Sequence, residues 1–187
     1  MIGYGESRIR KVGGGGGCPE DGVQIGDQCW MAKNLDIDDG LGGIFYPNGD
    51  VENVEDYGLL YTWHAAVRVS SNVEGFQLPS RDAFDSLAIF VGGADVAGFM
   101  LKSSGSDFWN EPNLHNSDPY GFGARGSGWR NNVGAYRNFR QRSFFWTSFQ
   151  VTETSSRRVY MQQDTMWLSS GSASNEIAYS VRLIKNS

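Results

Sequence analysis

The chain has 187 residues and a formal net charge of −5, enough for one domain with a buried core and too acidic to coat a phosphate backbone. Charged residues are 20% and hydrophobic ones 40%, while 25 glycines and 13% aromatics point to a loop-rich protein pinned by large side chains. No apolar run approaches the ~20 residues of a spanning helix, so no membrane span is expected.

From the amino terminus, residues 1–17 carry basic side chains but no apolar stretch of a secretory leader. The glycine run at 13–17 is expected to be a flexible tether ahead of a domain at 18–187. Val23-Gln24-Ile25 and Cys29-Trp30-Met31 flank Gly26-Asp27 and read as a tight hairpin. Cys18 and Cys29 bracket it: in an oxidising setting they are a disulfide candidate, and two free thiols are the alternative. A zinc site is not expected, because His64 and His115 are too far away to complete ligand spacing.

Pro47-Asn48-Gly49-Asp50 is a turn signal, and residues 57–67 read as a helix with Leu60, Trp63, His64 and Val67 on one face. On that face His64 is expected to be a hydrogen-bonded core histidine, while His115 falls in a polar loop. Ser80 reads as an N-cap with Asp82 in the first turn. Phe84, Leu87, Ala88 and Val91 then repeat at helical spacing until Gly92-Gly93. Beyond Gly105 the helical period ends, and residues 144–148, 159–163 and 179–184 read as short strands. Two helices followed by short strands predict an α+β fold.

Catalytic signals are absent from the sequence. There is no G-x-S-x-G elbow, neither cysteine neighbours a histidine, and the glycine run lacks the lysine of a phosphate loop. No catalytic residue is assigned, and the reading is of a binding protein and not an enzyme. Glu111-Pro112-Asn113 resembles the calcium-ligating tripeptide of sugar-binding C-type lectins, with oxygen-only ligation. The later Trp129-Arg130-Asn131 puts an arginine where a carboxylate is needed. Glu111 and Asn113 are therefore the only metal candidates, and no cofactor is expected beyond a structural calcium.

The most informative stretch follows. From Pro119 to Thr152 there is no Asp or Glu, yet Arg125, Arg130, Arg137, Arg140 and Arg142 stand there among Trp129, Tyr136, Phe139, Phe144, Phe145, Trp146 and Phe149. Arginine and aromatics dominate binding hot spots, and mixed with Asn, Ser and Gly they read as a binding surface. Phe145 and Trp146, central in an apolar strand, read as scaffold. The overall acidity and the choice of arginine over lysine favour a protein or glycan partner over nucleic acid.

In order along the chain, Ile25-Gly26-Asp27-Gln28-Cys29-Trp30-Met31-Ala32-Lys33-Asn34-Leu35, Tyr57-Gly58-Leu59-Leu60-Tyr61-Thr62-Trp63, Gly75-Phe76-Gln77-Leu78-Pro79-Ser80, Leu101-Lys102-Ser103-Ser104, Gly128-Trp129-Arg130, Phe145-Trp146-Thr147-Ser148 and Ser180-Val181-Arg182 form co-linear blocks. Through them the chain, over about 20–185, resembles the Fibrobacter succinogenes major paralogous domain. That resemblance implies a C-type-lectin-like fold, related to the formylglycine-generating-enzyme fold: two helices, short antiparallel strands and long loops, on secreted or surface proteins. The carboxy-terminal part also resembles the variable region of target proteins of diversity-generating retroelements, where template adenines are randomised. That likeness implies a variable region at about 129–182. Its exchangeable ligand-binding positions would be Asn131, Asn132, Val133, Arg137, Asn138, Arg140, Gln141, Arg142, Phe144, Arg157, Gln162, Asp164, Met166, Trp167 and Asn175. It further implies display on a virion surface or outside the cell, facing a protein or glycan on a cell. Two departures stand out: Trp129 replaces a usual tyrosine, and Leu183 a frequent cysteine, which leaves Cys18 and Cys29 as the one intrachain pair. The alternatives are a constant adhesin, a calcium-dependent lectin, or an enzyme of the formylglycine-generating kind, which needs a late cysteine pair that this sequence lacks.

Overall fold

A computed structural model describes residues 17–113 and 116–186. The tether expected before residue 17 and His115 lie outside the described residues. The first hairpin forms as expected: strand β1 (Gly22–Ile25) pairs antiparallel with β2 (Gln28–Met31) across Gly26, which stands at φ 59°. Cys18 and Cys29 are joined in a disulfide. Strand β3 (Ile44–Phe45) is followed by a 3₁₀ turn, Pro47–Gly49, at the expected turn signal, and by the one-turn helix α1 (Val54–Tyr57).

The helix expected over 57–67 is corrected. Gly58 sits at φ 69° and breaks the run; Leu60–Tyr61 becomes β4, paired with β3; and Thr62 caps the true helix α2 (Trp63–Ser70) by accepting from the Ala65 N–H. The buried face is therefore Trp63, Ala65, Ala66 and Val69. His64 is exposed and packs edge-on against Trp63, so the core-histidine expectation fails. After β5 (Phe76–Gln77), helix α3 (Arg81–Phe90) has the expected Ser80 cap and buries Phe84, Leu87 and Ala88. A fourth helix, α4 (Ala94–Leu101), follows it. Its sequence is apolar apart from Asp95 in the first turn and contains Gly98, so no clear periodicity announces it.

The remaining strands are β6 (Trp129–Arg130), β7 (Tyr136–Arg137), β8 (Arg142–Thr152), β9 (Ser155–Gln162), β10 (Ser169–Ser174) and β11 (Ile184–Lys185). The strand expected over 179–184 is mostly isolated bridges, Tyr61 with Tyr179 and Phe145 with Ser180. Sheet orders are β1-β2-β11-β5 and β10-β9-β8, with two further pairs, β3-β4 and β6-β7. Four helices with several small antiparallel sheets make this an α+β fold.

Strand β8 divides two cores. Phe145 packs with Trp30, Phe84, Leu87, Leu101, Trp109 and Phe122. Phe144 and Trp146 point the other way, into a cluster with Tyr61, Trp63, Val69 and Tyr179. A strand covered on both faces reads as an unbroken apolar run, and that explains Phe144-Phe145-Trp146. Buried Arg182 ties this centre to the first hairpin. It donates to Asn34 Oδ1 at 2.8 and 3.0 Å, to the Met31 carbonyl at 3.2 Å and to the Phe122 carbonyl.

Candidate binding surface

Three stretches carry the expected variable positions, and the structure treats them differently. The first is the turn between β6 and β7. Asn131 is part of its frame: its Oδ1 accepts from the Ala135 N–H at 2.7 Å, and its main chain pairs with the same residue. Asn132 and Val133 at the tip are exposed, Val133 by 81%. Arg137, at the end of β7, is exposed as well.

The second stretch, 138–142, is shaped by main chain. Asn138 and Arg140 stand at φ 56° and 59°. A Cβ on Gly128 would lie 2.5 Å from the Arg137 carbonyl oxygen, and one on Gly126 would lie 2.8 Å from Arg140 Cα. The segment can pass this closely only because both positions are glycine. Arg140 donates to the Gly126 carbonyl through its N–H and accepts from the Asn110 N–H, while its guanidinium caps the carbonyls of Ser106 and Asp107, each at 2.8 Å. Its side chain therefore holds a loop as well as facing outward. Asn138 links Trp129 to Gln141, accepting from the indole N–H and donating to Gln141 Oε1.

The third stretch, 162–167, meets the second. Arg142 pairs with Gln162 across β8 and β9, and the Gln163 N–H donates to the Gln141 carbonyl. Asn138, Gln141, Arg142, Gln162, Gln163 and Asp164 together line a small open cavity of about 110 Å³. Five of the six are positions singled out from the sequence; Gln163 is an addition that only its neighbour Gln162 foreshadows.

Beneath this loop lies Lys102, whose side chain is fully buried. Its ammonium donates to the carbonyls of Gln162 (2.8 Å), Gln163 (3.1 Å) and Thr165 (2.9 Å). Burial lowers its pKa to about 8, opposed by the charge of Asp164. On the far side, a Cβ on Gly98 would sit 2.5 Å from the Trp167 carbonyl oxygen, and the Phe99 N–H donates to the Met166 carbonyl. Every one of these restraints grips main chain. Side chains at 162–167 are thus not needed to shape their own loop, and Trp167 extends outward with 56% exposed. Lys102 carried no signal of this role beyond its place in a family block.

Two expected surface positions are corrected. Phe144 is 3% exposed, stacked between Tyr160 and Tyr179 at centroid distances of 5.5 and 4.8 Å. Asn175 is 2% exposed: it accepts from the Ser156 hydroxyl, donates to the Glu153 carbonyl, and its own carbonyl receives the Trp63 N–H that opens α2. Both are scaffold. Arg157 lies on the sheet face opposite Arg142 and Gln162, because alternate residues of β9 face opposite ways, so the structure does not bring it to the cavity.

The arginine-rich window is also partly structural. Arg125 donates to the carbonyl and carboxylate of Asp56 and lies 3.6 Å from the Phe108 ring centroid; Arg130 lies 3.8 Å from that of Phe45. Arg137 and Arg142 remain as outward cations. Glu111 accepts from the Asn113 N–H, and Asn113 donates to the Gly105 carbonyl. Among the described residues no three acidic, histidine or cysteine side chains gather as a metal site would require.

The family model for the Fibrobacter succinogenes major domain matches residues 23–185. The chain belongs to this family. No curated protein and no solved structure matches the chain. Within that range, Trp30 and Leu35, Tyr61 to Trp63, Ser80, Lys102, Gly128, Trp146 and Arg182 all hold main chain or fill a core. No single helix among the described residues is long and apolar enough to cross a membrane.

Proposed function

We propose that this protein is a ligand-binding variable protein of a diversity-generating retroelement, presenting exchangeable side chains on a C-type-lectin-like scaffold. The observation that carries the reading is the division of labour at 138–142 and 162–167. Side chains from both stretches line one cavity, while Gly126, Gly128, Gly98 and Lys102 fix the main chain beneath them. A surface built so can change its chemistry without refolding. The capped helices and the short antiparallel strands fit the scaffold reading. Its role is binding and not catalysis, its partner is a protein or glycan on a cell surface, and its site is a virion or cell exterior. The Cys18–Cys29 disulfide suits that oxidising setting.

Two measurements test it. The DNA beside the gene should hold a near-repeat of the codons for 129–182, differing at adenines, next to a reverse transcriptase, with the codons of Phe144 and Asn175 unvaried. A lone gene without such a repeat returns the protein to a constant adhesin. Replacing Gln141, Arg142 and Trp167 together by alanine should leave the melting temperature unchanged and abolish attachment to the cell that the parent particle recognises. Unfolding of that variant overturns the surface assignment.

A further inference from the structure

The sheet β10-β9-β8 ends at β10, and β10 is unprotected. Strand β8 is covered on its outer side: the Trp146 N–H donates to the Ser180 carbonyl, the Ser180 N–H to Phe144, and the Ser148 N–H to Pro79. On β10 no further strand is paired among the described residues. Its ladder with β9 runs six residues, from Ser169 opposite Tyr160 to Ser174 opposite Ser155, with no shift of register. In an antiparallel ladder every second N–H and C=O of an edge strand points away from its neighbour. Proteins usually blunt such an edge with lysine, proline, a bulge or an inward charge. Ser169-Ser170-Gly171-Ser172-Ala173-Ser174 has none of these, and its side chains are all small.

What lies beneath this edge gives the partner's chemistry. Gly171 faces Arg158, and a Cβ there would come within 3.7 Å of Arg158 Nη1 and 3.8 Å of Nη2. The guanidinium lies over Tyr160 and Phe144, 4.7 and 5.1 Å from their centroids, and interacts with Tyr179. Arg158 Nε and Nη1 are shielded from solvent and have no hydrogen-bond acceptor among the described residues. Arg157, opposite Ser172 on the other face, leaves its Nε equally without an acceptor. Buried guanidinium donors are normally matched by carboxylate or carbonyl oxygens. The acidic residues nearest in sequence, Glu153, Asp164 and Glu176, fall beyond the ends of the ladder.

We propose that β10 is a strand-addition site for an extended, acidic segment of a partner protein, paired main chain to main chain along residues 169–174, with a carboxylate set beside Gly171 on Arg158. Strand addition takes affinity from main-chain hydrogen bonds and selectivity from alternate side chains. The site stands independently of the exchangeable surface, since main-chain groups make it.

The test uses the full chain labelled with ¹⁵N and two eight-residue peptides, one alternating threonine with glutamate, the other threonine with lysine. The glutamate peptide should slow hydrogen exchange at alternate amides within 169–174, and the lysine peptide should not. Arg158→Gln should weaken the glutamate peptide about tenfold, as loss of one charge-assisted contact does. Gly171→Val, which suits a strand and keeps Arg158 in place, should remove the preference for glutamate while the fold persists. Equal binding of both peptides, protection outside 169–174, or no binding at millimolar peptide overturns the proposal. Concentration-dependent pairing of the free chain through its own β10 overturns it too, by assigning the edge to a second copy.

Discussion

Replacing Lys102 by methionine isolates the contact on which the loop over 162–167 depends. Methionine matches the length of the stem, so packing against Trp109 is largely kept and the ammonium alone is lost. Three carbonyls, of Gln162, Gln163 and Thr165, lose a charged donor. Leaving a buried polar group unmatched costs about 1–3 kcal/mol. The Gln162 carbonyl keeps the Thr165 N–H as a donor, so the losses fall mainly on the Gln163 and Thr165 carbonyls. They are offset in part by relief of the ammonium's own desolvation, several kcal/mol for a buried ion. The net expectation is about 1–3 kcal/mol, concentrated in the loop. Urea melts give the global figure, and native-state hydrogen exchange at the Gln163, Thr165 and Leu168 amides gives the local one. These amides bond to Gln141, Gln162 and Ala94 and report the loop's attachment.

The same residue sets a pH signature. With its folded pKa lowered to about 8 by burial, against 10.5 when unfolded, the folded state holds fewer protons between those values. Stability from this group is therefore fully present above 10.5 and is lost as pH falls through 8. The parent should gain stability over that window, and Lys102→Met should lose the slope. A variant within 0.5 kcal/mol of the parent, roughly the size of an ordinary surface change, and with unchanged exchange at the three amides would refute the clamp.

Other outcomes follow from the same geometry. Burial raises the Asp118 carboxyl to about 6, against the pull of the Gly123 N–H and the Arg182 charge, so its stability contribution is full below 3.8 and lost as pH rises through 6. Asp118→Asn should flatten that fall in urea melts between pH 4 and 6, about the span of the two pKa values. Gly128→Ala combines φ 64° with a contact of 2.5 Å to the Arg137 carbonyl and should destabilise by about 2 kcal/mol or more, read as a lowered melting temperature. Trp146→Ala empties a fully buried site and removes one of two donors to the Tyr61 carbonyl, for a loss of about 3–5 kcal/mol, whereas Trp167→Ala should stay within about 0.5 kcal/mol. Reducing Cys18–Cys29, which closes a short loop, should cost about 3 kcal/mol in the chain-entropy account, measured as the shift in denaturation midpoint with and without reductant.

Local chemistry determined the hairpin at Gly26-Asp27 and the helix opened by Ser80, because a turn residue or a cap acts within four positions and needs no distant partner. The same holds for Phe145 and Trp146, whose unbroken apolar run announces a covered strand. The family, too, was legible in its co-linear blocks. Only the tertiary structure decided what stands opposite each residue. It moved Phe144 and Asn175 from surface to scaffold, exposed His64, and gave Arg125, Arg130 and Arg140 structural tasks. It made a helix of a mostly apolar stretch without clear periodicity and a strand of six small residues that pair with β9 but have no pattern of their own. The physical reason is that burial and pairing belong to contacts between segments far apart in the chain. Lys102 shows this most plainly: its three acceptors lie 60, 61 and 63 residues away, at 162, 163 and 165, and they are carbonyls that every sequence possesses.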